Sequence, residues 1–329
     1  MKTKIVYVLV STQKDYYYEQ LLISVYSLRR YEKECEIILL SDKDTASTLH
    51  GKRGAIHKYI SSLIIVDIPD QYTQIQKSRY IKTHVRQIIS GDFLFIDTDT
   101  VVCESLKEID QVNYDICAVA DSNGQLAVSP YDDWIIKNAE KVGWAVDGKP
   151  HYNSGVMFVK DTPISHSLYE KWFENWQFCV AKGVNIDQLS LLHSNEQLNY
   201  PISELPSNWN CQIQRKGLGF LAYAKIIHYL SSNKMSIYYL LGQDDTFIKV
   251  KDNGEISEDI AELIQSPKTA FSRECKMIGG KQIEFLNAAM YSLYMYYPSM
   301  FSFLNGIANM YLRIRGFLGH IKYALHKKD

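Results

Sequence analysis

Four consecutive large apolar residues, Phe93-Leu94-Phe95-Ile96, run directly into Asp97-Thr98-Asp99 behind a Gly91-Asp92 turn. A short, continuous apolar run of this kind reads as a strand buried on both faces, as in the interior of an α/β sheet. Ligands of such sheets gather beyond the carboxyl ends of the strands. Both carboxylates stand at such an end. Alternation points them to the same side of the chain, close enough to share one hard cation. The bland alternative is a solvated turn after a strand. Asp42-Lys43-Asp44 also follows an apolar run, but Lys43 would repel a cation there.

The flanking sequence completes an α/β pattern. Lys4 to Val10 reads as a β-branched first strand, and Ser11-Thr12 opens a helix to about Arg30 with Leu21, Leu22, Val25 and Leu28 inward. Glu36 to Leu40 is a second strand, Asp44-Thr45 caps a short helix, and Leu63 to Ile68 is a third strand. A helix from about Gln74 to Ser90 turns Ile81, Val85, Ile88 and Ile89 inward and carries Arg79 and Lys82 in its first turns. Strands alternating with helices predict a mostly parallel sheet with right-handed crossovers. Neither common phosphate-cradling loop, Gly-x-Gly-x-x-Gly or Gly-x-x-x-x-Gly-Lys-Ser/Thr, is present. Phosphates bound here would need another counter-charge, and a metal on Asp97 and Asp99 would supply it.

Further along, Tyr114 to Ala120 reads as a strand ending at Asp121. Ser129 to Gly143 reads as a helix with Trp134 and Ile135 in the core. Tyr152-Asn153-Ser154-Gly155 leads into a strand from Val156 to Val159. An aromatic-rich helix spans about Pro163 to Lys182, and its rings read as core. Asn185-Ile186-Asp187-Gln188 starts the next helix, and Leu205 to Asn210 is a loop. Ala224 to His228 is a strand ending in a histidine.

From about Lys251 the character changes to a turn, a helix from Ser257 to Ile264, and a long aromatic tail. No charged residue occurs from Phe285 to Leu312, but Pro298 and several Asn, Ser and Tyr residues argue against a single spanning helix. The later part reads as amphipathic. Phe301, Leu304, Ile307, Tyr311, Ile314, Leu318, Ile321 and Leu325 line one face, and Asn305, Asn309, Arg313, His320 and Lys327 lie opposite. Apolar aromatics facing a basic stripe suit an anionic membrane surface. The alternatives are a helix packed on the body of the protein or a homodimer contact.

A net charge of -1 over 329 residues gives no general attraction to nucleic acid. The six cysteines form no Cys-x-x-Cys pair, which disfavours zinc and a disulfide scaffold. Buried thiols in a reducing compartment are the expected state. The chain enters a strand at once without a signal-peptide apolar core, so the expectation is cytoplasmic, peripheral on the inner membrane face through the tail.

Taken in order, these pieces resemble nucleotide-sugar glycosyltransferases of the GT-A type, nearest to glycosyltransferase family eight and its bacterial relatives, over roughly residues 4 to 235. The likeness rests on Ser78-Arg79-Tyr80, Phe95-Ile96-Asp97-Thr98-Asp99, Tyr152-Asn153-Ser154-Gly155-Val156-Met157, Asp187-Gln188, Leu205-Pro206 with Trp209-Asn210, and Ile227-His228. It implies a GT-A type, Rossmann-like, mostly parallel sheet flanked by helices, with a C-terminal helical extension. Residues 1–250 would be the catalytic domain and 251–329 the tail.

The resemblance also implies a division of labour. Asp97, Asp99 and His228 would hold Mn²⁺, with Mg²⁺ less well served by the imidazole nitrogen. A divalent ion bridging two phosphates offsets the charge that develops on a leaving nucleoside diphosphate. Arg79 and Lys82 would reach the donor phosphates, with Thr98 and Ser154 adding nucleotide-sugar contacts. Where many relatives carry acidic or Asn residues for uridine, this chain has Ser11-Thr12, so base recognition there would use hydroxyls and backbone amides. Asn153, Asp121 and Asp187 would hold sugar hydroxyls. Gln188 or Asp187 would stabilise an oxocarbenium-like state during transfer with retention. The competing assignment for Asp187 is a helix N-terminal carboxylate. Lys234 keeps the spacing of a diphosphate-binding lysine, although Ser231 replaces a glycine and the following Pro-Trp is missing. The expected partners are a UDP-sugar donor and a glycan or lipid-linked acceptor of a surface polysaccharide. The rival readings are a metal-dependent sugar-phosphate nucleotidyltransferase and a non-catalytic sugar-binding protein. The metal assignment is wrong if His228 lies far from Asp97 and Asp99 in the folded chain, or if a neighbouring lysine plugs their cluster.

Overall fold

The computed structural model describes residues 1–130, 132–213, 215–230, 239–272, 276–278, 281–283 and 297–326. The strands are β1 (Lys4–Leu9), β2 (Ile37–Asp42), β3 (Ser62–Val66), β4 (Phe93–Ile96), β5 (Thr100–Val102), β6 (Ile116–Ala120), β7 (Tyr152–Val159), β8 (Ile202–Glu204), β9 (Cys211–Gln212) and β10 (Ile226–His228). The helices used below are α1 (Tyr17–Arg29), α2 (Lys43–Ala46), α3 (Gln74–Ile88), α4 (Asp133–Val142), α5 (Pro163–Ala181), α6 (Asp187–Gln197), α7 (Asp244–Asn253) and α8 (Glu258–Gln265).

Seven strands form one sheet in the order β3-β2-β1-β4-β7-β6-β8, and β7 alone runs against the rest. Strand alternation sorts the core into two layers. Ile5, Tyr7 and Leu9 of β1, with Leu94 and Ile96 of β4, pack against Leu21, Leu22, Val25 and Leu28 of α1. Val6 and Val8, with Phe93 and Phe95, pack on the other face against Ile81 and Val85 of α3 and Leu168, Tyr169 and Trp172 of α5. The doubly buried character read from Phe93–Ile96 therefore has a direct cause: helices cover both faces. A smaller three-stranded sheet, β5-β10-β9, carries His228 back beside the end of β4.

The structure corrects several expected details. Helix α1 begins at Tyr17 rather than at Ser11-Thr12, because Asp15 folds the preceding residues into a loop. Its carboxylate accepts from Ser11 Oγ at 2.7 Å, Thr12 N at 2.7 Å and Thr12 Oγ1 at 2.9 Å. The cap of α2 is Asp42, which accepts from Thr45 N at 3.1 Å. Asp42 and Asp44 are paired to Lys77, so the second Asp-x-Asp has a cation from another helix as well as Lys43 beside it. Trp134 is 36% exposed, whereas Ile135 is buried, because the ring lies on the outer flank of α4. Phe178, near the end of α5, is also exposed.

Val250 of α7 and Ile260 and Ile264 of α8 belong to the same apolar cluster as β1 and α1. The C-terminal helix spans Pro298–His326, and Phe303, Ile307, Met310, Tyr311, Ile314, Phe317 and Leu318 on it are all exposed. Among the described residues, no helix is long and apolar enough to cross a membrane. Five of the cysteines, at 35, 103, 117, 179 and 211, are buried free thiols. Lys234 and Ser231 lie outside the described residues.

Candidate active site

The strand order reverses between β1 and β4, the position where ligands of open α/β sheets bind. A cleft of about 220 Å³ opens there at the carboxyl ends of both strands. Two features of the chain bring its polar groups together. First, the antiparallel pairing of β5 with β10 sets Thr100 opposite His228, which places a histidine from a remote segment next to Asp99. Second, the pairing of β6 with β7 jumps from Ala118–Met157 to Val119–Asn153. This bulge leaves Ser154 and Gly155 free of the β6 ladder and turned into the cleft.

Asp97, Asp99 and His228 each direct one ligand atom to a common point, and those atoms lie within 4.8 Å of one another. His228 Nε2 is 3.2 Å from Asp99 Oδ1. On the other side of the ring, Nδ1 lies 3.0 Å from Asn210 Oδ1. An amide oxygen can only accept, so Nδ1 keeps its hydrogen; Nε2, which faces the acceptor oxygen of Asp99 and carries a hydrogen in the charged ring, is the nitrogen that can ligate once it gives that hydrogen up. Asn210 is itself fixed by donating from Nδ2 to Asn153 Oδ1 at 2.9 Å. Burial lowers the pKa of His228, but Asp99 outweighs it and raises the imidazole above its ordinary value.

Gly155 has a packing role. A Cβ there would stand 2.4 Å from His228 Cε1 and 2.9 Å from Asp97 Oδ2. The cluster therefore occupies the space that any other residue's side chain would fill. Two carboxylates and one imidazole, packed over a residue with no side chain, fit a divalent ion that tolerates mixed oxygen and nitrogen ligands.

Behind the cluster lies an ion-pair network. Lys82 Nζ contacts both oxygens of Asp97 at 3.0 Å and Asp187 Oδ2 at 3.4 Å. Lys82 thus occupies both oxygens of Asp97, so for one of the two aspartates the lysine that counts against the metal is present, whereas His228 does lie beside the other, Asp99. Arg79 Nε lies 2.9 Å from Asp187 Oδ1, and Ser154 Oγ donates to Asp187 Oδ2 at 2.7 Å. Burial alone would raise the pKa of Asp187. Lys82, Arg79 and Ser154 reverse this and hold it well below the usual carboxylate range.

Most sequence-predicted site residues meet in this cleft: Arg79, Lys82, Asp97, Thr98, Asp99, Asn153, Ser154, Asp187, Gln188 and His228 all line it. Asp121 stands just behind, accepting from Gln188 Nε2 at 2.8 Å and Asn153 Nδ2 at 3.0 Å. Ser11 and Thr12 do not line it. Their hydroxyls hold the Asp15 loop, and Thr12 faces a second cavity. In their place, Tyr17 and Gln20 from the first turn of α1 flank the cleft with the end of β1. Sequence reasoning gave no role to Asn210, Gly155, Tyr17 or Gln20. Asn210 and Gly155 lay inside quoted motifs, but only the folded contacts reveal what they touch.

No protein-family model matches the chain, and no curated protein sequence matches it. Solved structures do. Galactosyltransferase LgtC, in complex with donor and acceptor sugar analogues, aligns with a TM-score of 0.51 and 14% identity, over 79% of this chain and 99% of that one. The apo structure of the bifunctional glycosyltransferase WbbM aligns with a TM-score of 0.51 and 19% identity, over 79% of this chain and 51% of that one. The chain therefore spans about half of the WbbM structure. At these identities the likeness establishes the fold, and the chain has the GT-A type fold.

Proposed function

We propose that the chain is a metal-dependent glycosyltransferase that moves a hexose from a nucleotide-sugar, most simply a UDP-sugar, to a glycan or glycolipid acceptor. The observation that carries this reading is the convergence of Asp97, Asp99 and His228 at the β1/β4 switch point of a GT-A type sheet. A divalent ion held by these three residues, Mn²⁺ before Mg²⁺, would offset charge on the departing diphosphate.

The geometry supports the following roles for the remaining residues. Tyr17, Gln20 and the end of β1 provide the wall for the base. Lys82, held between Asp97 and Asp187, is the cation placed to meet the donor phosphates. A donor phosphate would take the place of Asp97 as its partner, with Asp187 still within reach. Asp187, itself buried and ionised, orients Arg79 and Lys82 rather than acting as a nucleophile. Gln188 lines the cleft and is anchored through Nε2 to Asp121. Its amide oxygen is the acceptor for partial positive charge at the anomeric centre, the arrangement needed for front-side transfer with retention. The leaving diphosphate takes the acceptor proton.

The exposed apolar flank of the C-terminal helix, with the exposed Arg313 and Arg315 on it, supports placement on an anionic membrane surface. Buried free thiols support a reducing compartment. A membrane-held glycan acceptor for a surface polysaccharide fits both. The test is to incubate the protein with Mn²⁺ and a panel of UDP- and GDP-sugars and follow diphosphate release. Mn²⁺-dependent UDP release from one donor supports the proposal. Pyrophosphate formation from a sugar phosphate and a nucleoside triphosphate would instead identify a nucleotidyltransferase.

A further inference from the structure

Asn153 stands at the edge of the cleft, yet its side-chain oxygen is already engaged twice within the protein. Oδ1 accepts from Gly155 N at 3.0 Å and from Asn210 Nδ2 at 2.9 Å. A carbonyl oxygen has two lone pairs, so both are taken. Nδ2 donates to Asp121 Oδ1 at 3.0 Å, and the same carboxylate oxygen accepts from Gln188 Nε2 at 2.8 Å. Asp121 Oδ2 accepts from Ser122 Oγ at 3.0 Å. Asn153, Asn210 and His228 are all buried, and Asp121 does not line the cleft.

These bonds form one relay, Gln188–Asp121–Asn153–Asn210–His228, and its direction is fixed. Two of the groups bonded to Asn153 have no choice of role. The Gly155 backbone N–H can only donate, and an ionised carboxylate can only accept. Burial would raise the Asp121 carboxyl, but His151, Asn153, Gln188 and Ser122 hold it below its ordinary value, so it is ionised. Asn153 lies between the two. Its oxygen must face Gly155 and its nitrogen must face Asp121, because the reverse would set donor against donor and acceptor against acceptor. Asn210 must then turn Nδ2 to Asn153 and Oδ1 to His228 Nδ1, 3.0 Å away. The Asn210 backbone is held separately, its carbonyl accepting from Asn123 Nδ2 at 2.9 Å, so the side-chain amide alone is left to choose an orientation.

We propose that Asn153 is a positioning residue: pinned between the Gly155 N–H and Asp121, it sets through Asn210 which nitrogen of His228 is offered to the two aspartates. Asp121 is the corresponding positioning residue for Gln188, turning Nε2 towards itself and leaving Oε1 as the end that can face the cleft. Neither residue then acts by holding a sugar hydroxyl, the role the resemblance implies for both. The Asp121 half rests on the proposed transferase reading. The Asn153 half concerns only the ring and a cation, and stands without it.

The experiment compares Asn153→Ala with the wild type, both as full chains without any nucleotide-sugar. Once the Asn153 oxygen is gone, Asn210 can turn over and donate Nδ2 to His228 Nδ1. The neutral ring then carries its hydrogen on Nε2, towards Asp99. Nitrogen-15 NMR of the metal-free chain, with the imidazole neutral, should show His228 protonated on Nδ1 in the wild type and mainly on Nε2 in the variant. Mn²⁺ affinity should fall by about tenfold or more. Asn153→Ser, whose hydroxyl is one bond too short for Asn210, should do the same and covers the case in which the alanine variant does not fold. A His228 tautomer unchanged in both variants would overturn the proposal; a raised KM for the nucleotide-sugar as the sole effect would return Asn153 to direct sugar contact. For the other half, Asp121→Ala should lower kcat while leaving the His228 tautomer as it is, since Gly155 still pins Asn153. Asp121→Asn keeps an acceptor for Gln188 and Asn153 and can donate to Ser122 Oγ, so it should restore most of the loss. No recovery by the asparagine variant would overturn the role of Asp121. A wild type that transfers no sugar would remove that half together with the transferase reading, and the tautomer would still decide the role of Asn153.

Discussion

Asn210 Oδ1 lies 3.0 Å from His228 Nδ1, and this one contact decides which imidazole nitrogen faces the two aspartates. Both residues are buried; Asn210 ends the loop that leads into β9, and His228 ends the neighbouring strand β10. Partners that fix a ligating histidine typically alter metal affinity by about 10–100-fold when removed. Asn210→Ala should therefore weaken Mn²⁺ binding by about that factor, measured by electron paramagnetic resonance titration. Asn210→Asp, which keeps an acceptor at the same place, should recover part of the loss. Unchanged affinity in the alanine variant would remove Asn210 from the site's design.

Gly155→Ala should disable the cluster while leaving the sheet in place. The added carbon would meet a histidine ring that Asn210 holds and a carboxylate that Lys82 holds, so neither can yield easily. Overpacking of this size costs about 1–3 kcal/mol. The expected outcome is a modest drop in melting temperature with loss of Mn²⁺ binding. A variant that binds Mn²⁺ normally would show that the cluster does not need the room this glycine leaves.

The pKa of Asp187 gives a pH prediction whose sign can be worked through. Its carboxyl is held below the ordinary value in the folded chain, so its contribution to stability is complete above the unfolded value, about 4. That contribution is lost as pH falls below about 4 towards the folded value. Acid unfolding of the wild type should therefore include a component that Asp187→Asn lacks, and the variant should be destabilised by a few kcal/mol at neutral pH, because Lys82 loses a buried partner. Urea melts of both proteins between pH 3 and 7 check this. Parallel stability curves across that range would contradict it.

Much of this was legible in the sequence, and the limits are physical. The Phe93–Ile96 run and the carboxylates after it announced a doubly covered strand with a ligand site at its end, because burial on both faces leaves no room for polar alternation. Asp97, Asp99 and His228 could be paired only through resemblance, since the β5–β10 register that joins them is a long-range contact. The α1 start was misplaced because Ser11-Thr12 looks like a cap. Which side chain captures the free amides there depended on Asp15 folding back. The pairing of Lys82 with Asp97 and of Arg79 with Asp187 depends on how α3 lies across the sheet, which spacing within α3 cannot reveal.

The C-terminal helix should act as a membrane-surface element. Phe303→Asp together with Phe317→Asp places charge at two of the most exposed aromatic positions, 68% and 65%. Co-sedimentation with vesicles containing anionic lipid should fall at least tenfold for the double variant, with Mn²⁺ binding unaffected. Equal sedimentation of both proteins would favour a protein partner for this helix.

The central claim is that two aspartates and one distant histidine hold a single divalent ion, although Lys82 rests on Asp97. Anomalous diffraction from crystals soaked with Mn²⁺ and UDP tests it most directly. The account predicts one peak, about 2.0–2.6 Å from His228 Nε2 and from an oxygen each of Asp97 and Asp99, with the Lys82 ammonium moved towards the diphosphate. A peak elsewhere, or none while Lys82 stays on both oxygens of Asp97, would contradict it.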